Sequence, residues 1–412
     1  MSTEDAPPVA LEVGPVAHGG HCVARHEGRV VFVRHALPGE RVLARLTDAA
    51  PDARFWRADA VEVVDASPDR VPSAWPEAGP GGVGGGELAH VALPAQRAWK
   101  AAVVEEQLRR AHDERGVVVE AAPGDDDRGG LRWRTRVELV ADADGRAGMH
   151  RHRSHDVVAI HDMPLATEAV DVPAVLGRRW SPGARLTIVA PAAGDRPLLL
   201  ADGVPLVNGR PDHRPTARSS VREALAVGGR DLTWRVAGSG FWQVHREAPG
   251  VLVGAVADAL AEDGLAGARV VDLYAGAGLL TVPLARAVGE RGSVVAVEGD
   301  ARAARDLRRN VHDLPQVRLH RGDVAEVLSS GATGPADVVV LDPPRVGAGR
   351  AVVDGLVSLG AERVVLVACD PASLARDVAL LAGAGYALER LRAFDLFPMT
   401  HHVEAVALLR RS

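Results

Sequence analysis

At 412 residues, 47% of them hydrophobic and 25% charged, the chain has a globular composition and is too long for one ordinary core, so two or three domains are expected. The formal net charge of −6 argues against bulk affinity for nucleic acid and leaves any such binding to local patches. Two cysteines, Cys22 and Cys369, exclude a disulfide framework and any four-thiolate metal site.

The start, MSTEDAPP, is acidic and lacks the basic-then-apolar layout of a secretory signal, and no apolar run is long enough to span a bilayer. A cytoplasmic, monomeric protein without a membrane partner is expected. Residues 9–65 contain short alternating runs (VALEVGPVA, GRVVFVRHAL, ERVLARLTDA, RFWRADAVEVV) separated by Gly, Pro and His turns, which predicts a small all-β barrel over 1–66. Within it, HGGHCVARHEGRVVFVRHALPGERV resembles the TRAM domain, an OB-like RNA-binding module.

Residues 67–90 form a Pro/Gly-rich joint, and PAQRAWKAAVVEEQLRRAHDE predicts a helix over 94–114 that can pack on a later domain. Lys100 within it is the only lysine of the chain. Alternating segments from about 131 to 237 predict a strand-rich central domain, taken as 67–237. In LRWRTRVEL, Arg132, Arg134 and Arg136 alternate and would place three guanidiniums on one strand face, either as a solvated edge or as an RNA-facing surface. RHRSH at 151–155 adds positive charge.

From Gly238 the pattern becomes strand–helix alternation. Strands are predicted at 269–273, 293–297, 338–341 and 364–368, and helices at 251–261 and 301–310, the signature of a doubly wound parallel sheet. Ligands bind such sheets at the carboxyl ends of the strands. There stand Asp272 with the turn YAGAG, Glu298, Asp323, Asp342 and Cys369; Ser373 is the expected cap of the following helix. Glycines Gly276 and Gly278 let backbone approach a ligand, and Glu298 is placed for ribose hydroxyls. Without basic residues in that loop, a nucleoside lacking phosphates fits better than a dinucleotide. Cys369 by itself reads as a nucleophile or as a small buried hydrophobe. Glu404, between Val403 and Ala405, is an acid in apolar company. His401 and His402 do not predict a metal site, because neighbours in a strand point to opposite faces.

FWQVH (241–245), DLYAGAGLL (272–280), LDPPR (341–345), ACDPASLARD (368–377) and DLFPMTHHVE (395–404) together resemble, in order, the motifs of the RNA (uracil-5-)-methyltransferase family. The resemblance implies an α/β chain with a Rossmann-like class I methyltransferase sheet over 238–412, preceded by the OB-like TRAM barrel and the strand-rich central domain. It implies S-adenosylmethionine as cofactor and a uridine of 23S rRNA or tRNA as substrate. Cys369 would be the nucleophile that adds to carbon 6, and Glu404 the base that removes the carbon 5 proton. Gln243, Tyr274, Gly276, Gly278, Glu298, Asp323 and Asp342 would hold the cofactor. Phe241, Arg345 and the three arginines 132, 134 and 136 would face RNA, with Arg345 or Arg376 favouring the thiolate. Many relatives carry an iron–sulfur cluster; the corresponding positions here are Trp75, Val83, Gly86 and Met163, so no cluster and no metal are expected. Alternatives are a cytosine carbon-5 or other base methyltransferase, which lacks support because no Pro-Cys dipeptide is present, and a non-catalytic RNA-binding protein of the same fold.

Overall fold

Period-two alternation in the first 65 residues closes as a six-stranded sheet in a computed structural model that describes residues 7–152 and 154–412. The order is Val9–Glu12, Arg41–Asp48, Phe55–Asp65, Arg29–Arg34, His21–His26, Val16–Ala17. In Arg41–Asp48, Val42 and Ala44 turn inward between exposed Arg41 and Arg45. Cys22 lies fully buried with Leu11, Val31 and Val33, so it serves as a core hydrophobe.

A seven-stranded antiparallel sheet, from Arg136–Ala141 to Arg210–Pro211 in sequence, forms the second body. The third is an eight-stranded sheet ordered Val317–Arg321, Ser293–Glu298, Arg269–Leu273, Val338–Leu341, Arg363–Ala368, Glu404–Arg411, Tyr386–Asp395, Val119–Ala121. Its first five strands are parallel, and Glu404–Arg411 runs antiparallel to both neighbours. Val-rich strands buried on both faces fit this arrangement: every residue of Val338–Leu341 and Arg363–Ala368 is buried.

Two segments from earlier in the chain pack into this third body. The hairpin of Ser220–Val227 and Arg230–Ala237 places Leu232, Trp234 and Val236 in the core beneath the sheet and lies on the Ala301–Asn310 helix. The helix Leu93–Arg110 packs on the helix Pro371–Gly383, and the edge strand Val119–Ala121 follows it. That helix stops short of 114, where His112 takes a left-handed φ of 60°. No helix among the described residues is long and apolar enough to cross a membrane.

The only lysine pins these parts together. Lys100 Nζ lies 2.5 Å from Asp395 Oδ1 and donates to the Phe397 carbonyl at 3.0 Å, with both charged side chains almost fully buried. Lys100→Met would leave the Asp395 carboxylate buried without a counter-charge, so chemical denaturation should show a loss of about 3–5 kcal/mol. Adding Asp395→Leu should recover most of it.

Candidate active site

Strand order reverses between Arg269–Leu273 and Val338–Leu341, and the carboxyl ends of the strands around this point carry the acids named above. Asp272 is 1% exposed and takes a hydrogen bond from Thr281 Oγ1. Burial pushes its carboxyl up to about 7 against that hydrogen bond, with the charges of Asp342 and Glu298 adding to the rise. Asp342, half-buried at the next strand end, is likewise pushed up to about 7 by burial. Glu298 closes the strand Ser293–Glu298 and accepts from the Gly276 N–H at 2.7 Å and the Asp300 N–H at 2.6 Å. Asp323 stays exposed and caps the helix Val324–Ser329 through the Glu326 N–H.

The loop after Leu273 departs from ordinary backbone. Tyr274, half-buried, has φ 61°, a strained region for an aromatic residue. Burial and the neighbouring Asp323 and Asp377 push its phenol up to about 12. The two glycines differ in purpose. Gly278 has φ +94°, which favours glycine, and a Cβ there would stand 2.6 Å from Leu307 Cδ1, whereas a Cβ on Gly276 would meet nothing and faces open space at the rim. Gln243 is 8% exposed and makes no side-chain hydrogen bond among the described residues.

Cys369 follows the last residue of Arg363–Ala368, and Glu404 is the first residue of the adjacent antiparallel strand. The ladder between them ends at Ala368↔Ala405, so the next positions outward are Cys369 and Glu404. Burial pushes the half-buried Cys369 thiol up to about 12, the charges of Glu404 and Asp342 push further, and Arg345 pulls back. Glu404, 3% exposed, is raised well above the ordinary carboxyl range by burial first, then by Asp342, against Arg345. With the thiol raised this far, alkylation of Cys369 by iodoacetamide should be slow at pH 7 and climb by about a hundredfold or more to pH 10. Peptide mass spectrometry should find Cys22 unmodified throughout.

Arg345 is exposed and lies 3.1 Å from His402 Nε2. Arg376 is committed elsewhere, to the Val346 carbonyl and Asp377, so of the two cations expected beside the thiol only Arg345 acts on it. His401 and His402 sit in a loop with ring centroids 4.1 Å apart, not on opposite faces of a strand. No group of His, Cys, Asp and Glu suited to a metal occurs among the described residues.

The arginine face does not form. Arg132 adopts φ 57°, which breaks the extended run, and the strand begins only at Arg136. Arg132 remains exposed, 3.8 Å from Glu168. Arg134 Nε donates to the Arg136 carbonyl. Buried Arg136 donates to the Gly240 carbonyl at 2.8 Å, bracing the loop that presents Phe241, which is 70% exposed. Of RHRSH, Arg153 lies outside the described residues, as do residues 1–6.

Trp75, Val83 and Met163 share one apolar core. A Cβ on Gly86 would stand 2.6 Å from Ala78 Cβ and 3.0 Å from Trp75 Cε3. The four positions matched to cluster ligands therefore converge around a packed indole.

Sequence reading missed Asp370 as cap: its Oδ1 accepts from the Ser373 N–H at 2.8 Å, starting the helix with Pro371 at its first position. The Asp-Pro pair was the available signal. It also missed Asp377, which is buried and accepts from the N–H groups of Ala348 and Gly349, and so ties the loop after Asp342 to the helix after Cys369.

The tRNA (Uracil-5-)-methyltransferase family model matches residues 334–412, the Conserved hypothetical protein 95 model residues 249–369, and the TRAM domain model residues 9–61. An uncharacterised RNA methyltransferase of Streptomyces avermitilis is 45% identical, covering 97% of each chain. The 23S rRNA (uracil(1939)-C(5))-methyltransferase RlmD of Pseudomonas fluorescens is 34% identical over 98% of this chain and 94% of its own. Among solved structures, the Pyrococcus abyssi tRNA (uracil-54, C5)-methyltransferase in complex with S-adenosyl-L-homocysteine shares the fold. Its TM-score is 0.69 at 20% identity, covering 97% of this chain and 99% of that one.

Proposed function

Because the chain belongs to the RNA (uracil-5-)-methyltransferase family, we propose that it methylates carbon 5 of a uridine in 23S rRNA or tRNA through a covalent adduct with Cys369. The observation that carries this reading is the adjacency of Cys369 and Glu404 at the end of one strand ladder, a nucleophile and a base on the same rim.

The residues present fit S-adenosylmethionine. Gly276 leaves room where a side chain would intrude, Gln243 has free hydrogen-bonding capacity, and Glu298 and Asp342 offer carboxylate oxygens at the strand ends on either side of Arg269–Leu273. With Tyr274, Gly278 and Asp323 these would hold the donor, which supplies an electrophilic methyl group. The chain's own residues do the rest. The Cys369 thiolate adds to carbon 6 of the uracil, and its electron pair makes the ring an enolate with carbon 5 nucleophilic. After carbon 5 acquires the methyl, Glu404 takes the carbon 5 proton, and the released pair restores the double bond and expels the thiolate. Arg345 is the cation available to favour that thiolate, and buried Glu404, reluctant to ionise, is correspondingly a strong base once it does.

A cleft of about 650 Å³ between the barrel and the central body, lined by Arg34, Arg45, Arg57, Arg151, His21 and His152 together with Asp48 and Asp59, is where RNA would bind. Phe241, with its exposed ring, could stack on a base drawn out of its helix. The barrel would thus bind RNA, the central body carry the cleft's other wall, and the eight-stranded sheet hold donor and target. Mapping 5-methyluridine in tRNA and 23S rRNA from a strain lacking the gene should reveal one missing site, restored by the wild-type gene and not by Cys369→Ala. Unchanged maps in both RNAs would refute the proposal.

A further inference from the structure

The turn His18–Gly20 of the N-terminal barrel is seated on the rim that carries Cys369 and Glu404. His18 Nε2 lies 2.9 Å from Asp370 Oδ2, a contact between residues 352 positions apart. On the other side of the turn, Gly20 has φ +77°, and a Cβ there would stand 3.2 Å from His401 Cβ and 3.4 Å from Glu87 Cβ. The turn therefore wedges between the strand end holding Cys369 and the loop leading into Glu404.

Asp370 is joined to Cys369 by one peptide bond and serves two partners at once. Its Oδ1 caps the helix Pro371–Gly383 through the Ser373 N–H, and its Oδ2 meets His18. A carboxylate beside a thiol opposes ionisation of that thiol, and a protonated imidazole beside the carboxylate offsets its charge. We propose that His18 is a positioning residue of the methyl-transfer site, holding Asp370 from the barrel and offsetting its charge so that Cys369 sits fixed and ionises more readily.

His18 and Asp370 shift each other as a bonded pair should. The hydrogen bond to Asp370 raises the His18 imidazole; burial lowers it, Glu106 adds to the rise and Arg110 opposes it, both from the helix Leu93–Arg110. For Asp370, burial pushes the carboxyl up, but the bonds from His18 and the Ser373 N–H outweigh it and leave it below the usual range. Because the Asp370 pKa is lowered and the His18 pKa raised, the charged pair is complete between the two and is lost as pH rises through that of His18.

The role in methyl transfer rests on the proposed function, but its effect on the thiol can be read without RNA. In iodoacetamide labelling followed by peptide mass spectrometry, His18→Ala should slow modification of Cys369 about tenfold at pH 7. The gap to wild type should close as pH rises and wild-type His18 loses its proton. Adding Asp370→Asn, which keeps the cap and removes the charge, should restore the rate to within about twofold of wild type. Wild-type labelling by His18→Ala at every pH, or failure of Asp370→Asn to restore it, would overturn the proposal.

With RNA carrying 5-fluorouridine, the same variant should form adduct more slowly at saturating RNA while the half-saturating RNA concentration stays unchanged. A change confined to half-saturation would make His18 an RNA contact and overturn the positioning role. If wild type itself forms no adduct, the methylation reading fails, and the labelling arm still decides whether His18 acts on Cys369.

Discussion

Cys369→Ala is expected to reduce methyl transfer below detection while RNA and S-adenosylmethionine still bind, and Glu404→Gln is expected to stall after transfer. The two losses differ because the two groups act at different bonds. Without the thiolate no enolate forms, and carbon 5 of uracil is a poor nucleophile towards a sulfonium methyl. With Gln at 404 the thiolate still adds and the methyl still arrives, but the carbon 5 proton has no acceptor. The Glu404→Gln protein should therefore accumulate as a covalent complex with methylated RNA, seen as a slow band on a denaturing gel. The double variant Cys369→Ala, Glu404→Gln should show no such band. Turnover by Cys369→Ala at a wild-type rate would end the mechanism.

Replacing Glu298 or Asp342 should weaken S-adenosylmethionine binding by about 1–3 kcal/mol each in calorimetry, because a lost carboxylate leaves polar groups of the ligand unpaired. Glu298→Gln carries an added cost. Its carboxylate accepts from Gly276 and Asp300 with separate oxygens, and an amide offers only one acceptor, so the glycine loop loosens as well. For Asp342 the sign with pH follows from a carboxyl pushed up to about 7: as pH falls from 8 to 6 it gains a proton and loses the charge that a cationic ligand feels. Affinity for the sulfonium donor should then fall over that window in wild type and stay flatter in Asp342→Asn. Unchanged affinity in both variants would place the donor elsewhere.

Four parallel strands of the eight-stranded sheet were legible from local pattern because buried parallel strands are written as unbroken β-branched runs. SVVAVE, VVVL and VVLVA could be little else, and each ends in or is followed by an acid or a thiol. The barrel was legible too, since a strand with one face in a core must alternate, as Arg41–Asp48 does. Where local pattern and chain conformation parted, one residue was enough. A left-handed Arg132 turned three alternating arginines from one face into an exposed side chain and two internal braces.

What only the tertiary structure decided is which distant residues share a rim. Cys369 and Glu404 are separated along the chain by a helix and a strand, and they become neighbours because Glu404–Arg411 inserts antiparallel beside Arg363–Ala368. Lys100 finds Asp395, and His18 finds Asp370, across the whole length of the chain. No periodicity records such pairings, since strand order and the docking of one body on another are set by the fit of whole surfaces. Raised proton affinities at Asp272, Asp342 and Glu404 belong to the same level: each is set mainly by how much water the packed fold removes from the carboxyl, with neighbouring charges adding at Asp272 and Glu404. The sequence alone determined the residue types and the strand ends that bear them; folding alone determined their partners, their distances and their charge.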